Sequence, residues 1–135
     1  MFQSTEKFKT KELEILQEYF DLLNVKKTLY DGVKYWWFEA KDSSILGAFY
    51  WQEPNFIFVK KCDWKIFSNF DITQDYIEQI LPTIIHELTH RKQFYSMGKV
   101  KYISASCRWW NQFTIEPEAE RAEAETLKQL KRIKR

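Results

Sequence analysis

Apolar residues recur at helical spacing over residues 5–24 (TEKFKTKELEILQEYFDLLN). Phe8, Leu13, Leu16, Phe20 and Leu23 share one side, and Lys and Glu fill the other. That pattern predicts an amphipathic helix. From Thr28 to Lys61 the signal changes. KTLYDGVKYWWFEA, SSILGAFYW and NFIFVKK are rich in aromatic and branched residues, and turn-forming DG (31–32), KDSS (41–44) and QEPN (52–55) separate them. Three or four antiparallel strands joined as a meander are expected. Helical spacing returns at Thr73: Ile77, Ile80, Leu81, Ile84, Leu88 and Tyr95 fall on one side, with Gly98 placed to cap the end. Pro82 is expected to kink this helix or divide it in two. Residues 99–113 read as a loop with a short helix. A last helix is expected from Pro117, a favoured first-turn proline, to about Ile133. Helix, antiparallel sheet, helix, loop, helix is the layout of an α+β domain.

Composition narrows the picture. A chain of 135 residues with 44% apolar and 18% aromatic side chains suits a single domain spanning 1–135 with one buried core. The charge balance of +2, from 21 basic and 19 acidic side chains, argues against nucleic acid as an obligatory partner. Charge is uneven near the end, where EPEAERAEAE precedes KQLKRIKR, the arrangement that complements a helix dipole. Two cysteines, Cys62 and Cys107, make no disulfide framework and are expected as buried, reduced thiols. MFQSTEKFKT carries no apolar signal-peptide core, and no apolar run approaches the roughly 20 residues of a membrane span. A cytoplasmic protein without membrane association is the expectation.

The chemistry concentrates at His86-Glu87-Leu88-Thr89-His90, an HExxH motif. Residues four apart on a helix stand one above the other, so both imidazoles can reach one ion. Zinc accepts neutral imidazole nitrogens and tolerates an open coordination position. Glu87, turned about 100° from His86, reaches a water on the metal and can serve as general base once zinc has lowered that water's pKa towards about 7. A bare HExxH can arise by chance, so its context matters. The chain's 2 histidines both lie in the motif. The motif sits in the most strongly periodic segment, and the stripe Ile77, Ile84, Leu88, Tyr95 points roughly opposite to the histidines.

Catalytic zinc usually takes three protein ligands. With no third histidine, the remaining one must be Asp, Glu or Cys. The last helix offers Glu116, Glu118, Glu120, Glu123 and Glu125. Taking Ala119, Leu127 and Leu130 as its inward face leaves Glu116, Glu120 and Glu123 on or beside that face. Glu118 then points away and Glu125 sits behind. Ala119 and Ala122 would permit close approach to the metal helix.

Over residues 73–125 the chain resembles the gluzincins, HExxH metallopeptidases whose third zinc ligand is a glutamate on a downstream helix. Glu116-Pro117-Glu118-Ala119-Glu120 fits the spacing of their second motif, with Glu120 in place of an Asp. The resemblance implies a small zincin-like domain holding Zn2+ on His86, His90 and Glu116. Glu87 would be catalytic, and Glu120 would orient a zinc-bound imidazole. It also implies a peptide or protein substrate, added as a strand to one of the segments in 45–60. The family's transition-state donor is a His, Tyr or Arg, for which Tyr95, Tyr102 and Arg108 are candidates. Tyr35, Trp36, Trp37, Phe49, Tyr50 and Trp51 either line subsites or alternate between core and surface of the strands. The competing reading is a zincin-like binding or regulatory module without turnover, of the size found in viruses and mobile elements. A third is nucleic-acid association through the basic tail and Trp109-Trp110.

Overall fold

The structure, a computed structural model, describes residues 4–39, 45–61, 72–107 and 110–133. The described residues open with a strand where the start of a helix over 5–24 was expected. Strand β1 (Ser4–Lys7) is followed by helix α1 (Thr10–Leu22). Glu12 explains the late start. Its carboxylate accepts the Lys9 backbone N–H at 2.6 Å, closing the first turn, and the Trp37 indole N–H at 3.1 Å. Phe8 is therefore not on the helical stripe. It is buried ahead of the helix, stacked on Trp37 with centroids 4.0 Å apart. The inward face of α1 is Glu12, Ile15, Leu16, Tyr19 and Phe20, whereas Leu13 is 41% exposed.

The expected meander is corrected too. Lys27–Tyr30 forms a short helix α2, and only then does β2 (Lys34–Glu39) begin, after a turn in which Gly32 takes φ +75°. Strands β3 (Gly47–Phe49) and β4 (Phe56–Lys60) form a hairpin around residues 50–55. The KDSS turn at 41–44 lies outside the described residues. The sheet is mixed, in the order β1-β2-β4-β3, with β2 antiparallel to β1 and parallel to β4. Tyr35 pairs with Ile57 and Trp37 with Val59, so all four project into the core against the helices. Trp36, Phe56 and Phe58 alternate to the other face. Apolar alternation fixes which face is buried, but neither partner nor direction.

Helix α3 (Ile72–Met97) runs unbroken through Pro82. An interior proline costs about 3 kcal/mol. Ile77, Leu81, Ile84 and Leu88 are almost wholly buried around it, at about 1.5–3 kcal/mol each, so burial wins. Helix α1, β3 and β4 pack on α3, as does the last helix, α6 (Glu116–Ile133), leaving α3 central. Tyr95 is not on its inward side. It is 54% exposed, lies under the Arg91 guanidinium, and donates its hydroxyl to Asn55. Gly98, at φ +83°, ends α3 by donating its N–H to the Phe94 carbonyl at 3.0 Å. Between α3 and α6 stand two short helices, α4 (Lys99–Ala105) and α5 (Asn111–Thr114), where a loop with one was expected. Cys107 is an exposed free thiol rather than a buried one, and Cys62 lies outside the described residues. No helix among the described residues is long and apolar enough to cross a membrane.

Candidate functional site

One helical turn separates His86 from His90 on α3, and their rings lie 4.9 Å apart. Helix α6 crosses α3 at this point. Ala119, fully buried, offers no bulk to hold the two helices apart. Of the five glutamates on α6, two reach the histidines. Glu116 sets Oε1 2.6 Å from His90 Nε2 and Oε2 3.3 Å from His86 Nε2. Glu123 sets Oε1 2.7 Å from His86 Nδ1. Glu120, expected to orient an imidazole, is exposed, and Glu123 takes that place. Glu118 does not point away. It accepts from Lys92 and from the Gln93 amide. Both corrections have one cause: the inward face of α6 is Ala119, Thr126 and Leu130, while Leu127 is 43% exposed. Glu116 and Glu123, seven residues apart, share that face after two turns of 3.6 residues.

The Nδ1 atom of each histidine is engaged, His86 by Glu123 and His90 by the Gln93 Oε1 at 2.9 Å. Both Nε2 atoms therefore turn to Glu116. Neutral imidazoles protonated on Nδ1 present lone pairs from Nε2, so nitrogen acceptors face a carboxylate. Only a shared proton or a cation relieves that opposition. Burial lowers the proton affinity of His90, against its hydrogen bond to Gln93 Oε1 and the charge of Glu116, and so disfavours a second proton on the ring. One donor atom from each of His86, His90 and Glu116 lies within 4.8 Å of the other two. Tetrahedral zinc with bonds of about 2.0–2.2 Å spaces its donors by roughly 3.3–3.6 Å. The His86–Glu116 separation already matches, and the His90–Glu116 contact must open. Two nitrogens and one carboxylate form a donor set suited to a divalent cation. Side-chain exposure rises from His90 (7%) through Glu116 (29%) to Glu123 (43%), so the site opens towards α6.

Glu87 lies beneath β3. A Cβ built on Gly47 would come 3.2 Å from Glu87 Cγ and 2.7 Å from Thr83 Cγ2, so a residue without a side chain is what lets β3 pass here. Burial pushes the Glu87 carboxyl up to about 7; His86 opposes the rise, and the charges of Glu116 and Glu123 add to it. Of the two candidate donors among the described residues, Tyr102 is the one placed beside this chemistry. It is buried, edge-on to Phe49 and Phe94, and burial together with the charges of Glu87 and Glu116 holds its proton well above the ordinary tyrosine range. Tyr95 is tied to Asn55, and Arg108 lies outside the described residues, as does Trp109. The aromatic cluster divides. Tyr35 and Trp37 are core and Trp36 lies on the opposite face of the sheet, while Phe49 and Trp51 pack near Tyr102. Gln93 and Gly47 carry no motif in the sequence. The one available signal for Gln93 was its place three residues after His90, on the same helical face.

Comparison with models of known protein families, with curated proteins and with solved structures finds no match to this chain.

Proposed function

We propose that the chain is a zinc-dependent peptidase of gluzincin type on a small zincin-like fold. His86, His90 and Glu116 hold the metal, and Glu87 is the general base. The observation that carries the reading is the convergence of His86 Nε2, His90 Nε2 and the Glu116 carboxylate beside a buried Glu87. A bound zinc ion supplies Lewis acidity, polarising a substrate carbonyl and acidifying water. Glu87 takes the proton of the attacking water and passes it to the leaving amine, a role suited to a carboxyl whose pKa is raised towards neutrality. Tyr102 keeps its proton and donates a hydrogen bond to the oxygen on which negative charge develops. Strand β3 ends the sheet order, and its outer edge meets no strand among the described residues. An extended peptide adds there, beside Glu87.

Metal analysis and peptide-library cleavage of purified variants test this reading. Wild type is expected to hold stoichiometric zinc, with His90→Ala and Glu116→Ala depleted. Full zinc in Glu116→Ala removes that ligand from the set. Glu87→Gln should retain zinc while turnover falls about 10²–10⁴-fold. Tyr102→Phe should retain zinc and lose about 10²–10³-fold. A zinc-loaded wild type that cleaves nothing but holds one partner stably establishes the binding-module alternative. A wild type that binds no divalent ion ends the metal reading altogether.

A further inference from the structure

Glu116 and Glu123 already place carboxylates against the two histidines. A further carboxylate against His90 Nδ1 would add to their mutual repulsion. The group found there is a neutral amide, Gln93. An amide can accept without adding charge, but it has two ends, and the wrong end would offer N–H to Nδ1 and leave Nε2 to carry the proton. Two neighbours remove the ambiguity. Gln93 Nε2 donates to the Ile115 carbonyl at 2.8 Å and to Glu118 Oε1 at 2.9 Å, and neither of these can donate in return. Oε1 is thereby left to face His90. Glu118 is fixed in turn by Lys92, whose Nζ lies 2.8 Å from its other oxygen. Both carboxylate oxygens of Glu118 thus accept, one from Lys92 and one from Gln93. The carbonyl and the carboxylate that orient Gln93 belong to the segment that carries Glu116.

We propose that Gln93 is a positioning residue: its amide, oriented by Glu118 and the Ile115 carbonyl, holds the His90 proton on Nδ1 and so reserves Nε2 for a divalent cation. This rests on the metal-site reading above, but its first test does not require metal. Docking of α6 then delivers the third ligand and the correct tautomer of the second in one step. The Glu116 carboxylate, 2.6 Å from Nε2, would otherwise draw the proton to that side in metal-free protein. Removing this competitor isolates the effect of Gln93.

The experiment has two parts. Nitrogen-15 NMR of metal-free Glu116→Ala at pH 8 reads the His90 tautomer, with His86 the other histidine to assign. The Nδ1–H form is expected to dominate, and Gln93→Met in the same background should shift the ring towards Nε2–H. Dominance of Nε2–H with Gln93 intact overturns the proposal. Zinc titration of the otherwise native chain is the second part. Gln93→Met should lose about 10–100-fold in affinity. Glu118→Gln, a milder change at a half-exposed position, should lose less because Ile115 still orients the amide. Affinity unchanged in Gln93→Met overturns the proposal. Should Gln93→Met fail to fold, the tautomer in Glu116→Ala and the zinc affinity of Glu118→Gln still decide. Loss of the metal reading alone looks different: wild type binds no zinc, yet His90 in Glu116→Ala remains protonated on Nδ1.

Discussion

Glu87 shows how much one side chain is asked to bear. It is 9% exposed, and burial, aided by the charges of Glu116 and Glu123 and opposed by His86, lifts its carboxyl from an ordinary 4.5 to about 7. In metal-free protein that shift has a definite sign. The folded state holds the Glu87 proton more tightly than the unfolded chain does. The resulting stability is fully present below about pH 4.5 and is lost as pH rises through about 7. Glutamine stays neutral throughout. Chelated Glu87→Gln should therefore match chelated wild type near pH 4.5 and exceed it at pH 8, by up to about 3 kcal/mol. Urea denaturation of the two proteins at both values measures this, and coincident curves at pH 8 would show that Glu87 ionises at no cost to the fold. The motif residues were legible because HExxH is a local pattern on one helix. The residues that set their protonation were not. Glu123 and Gln93 acquire their roles from a helix crossing, and nothing in a glutamine or a helical glutamate announces a histidine partner.

At the scale of elements, β3 passes close over α3 beside Glu87. A methyl group at Gly47 meets Thr83 Cγ2 at 2.7 Å, Phe58 O at 3.2 Å and Glu87 Cγ at 3.2 Å. Neither a strand carbonyl nor a β-branched side chain on a buried helix yields easily. Gly47→Ala should lift β3 from α3 at a cost of about 1–3 kcal/mol. None of those contacts involves His86, His90 or Glu116, so peptide turnover should fall further than zinc affinity. Denaturation, zinc titration and peptide kinetics on one preparation separate the effects, and unchanged stability would mean that β3 does not bear on α3 at this point. The helices α3 and α6 were readable from apolar spacing, although one face of α6 was misplaced by a single residue, from Thr126 to Leu127. Taking Leu127 for Thr126 turns the centre of that face by about 30°, towards Glu120 and away from Glu118. Strand β1 was not readable. Its residues merge into the helical stripe of α1, and the break between them is made by the Glu12 carboxylate reaching back to Lys9. Direction in the sheet escaped for a related reason, since alternation at Tyr35, Trp37, Ile57 and Val59 is satisfied equally by a parallel or an antiparallel neighbour.

For the molecule as a whole, the seam between α3 and α6 joins fold to proposed function. Apolar burial along α6 is slight: Ala119 and Leu130 are its buried apolar residues, with Ala122 partly buried against the core. Much of the seam is instead polar, with Glu116, Glu118 and Glu123 on α6 facing His86, His90, Lys92 and Gln93 on α3. Without a cation, the Glu116 carboxylate and the Nε2 atoms of His86 and His90 depend on a shared proton to relieve the opposition between acceptors. On the proposed reading, bound zinc would convert the opposition into attraction between the two helices. Its removal should therefore loosen α6 preferentially, leaving α1 and the sheet, which share the core of Phe20, Trp37, Ile57 and Leu81, less affected. If the site takes zinc as proposed, free zinc at 100 times its dissociation constant should stabilise the folded state by about 2.7 kcal/mol. For a chain of this length that is a rise in melting temperature of roughly 10 °C over the chelated protein. Calorimetry with and without chelator gives the overall shift, and amide hydrogen exchange gives its location. Protection lost first across residues 116–133 would place the metal in the seam. Equal protection of α6 in both states would mean that the helix docks through its apolar contacts alone, and that the histidines and Glu116 are brought together without help from a metal.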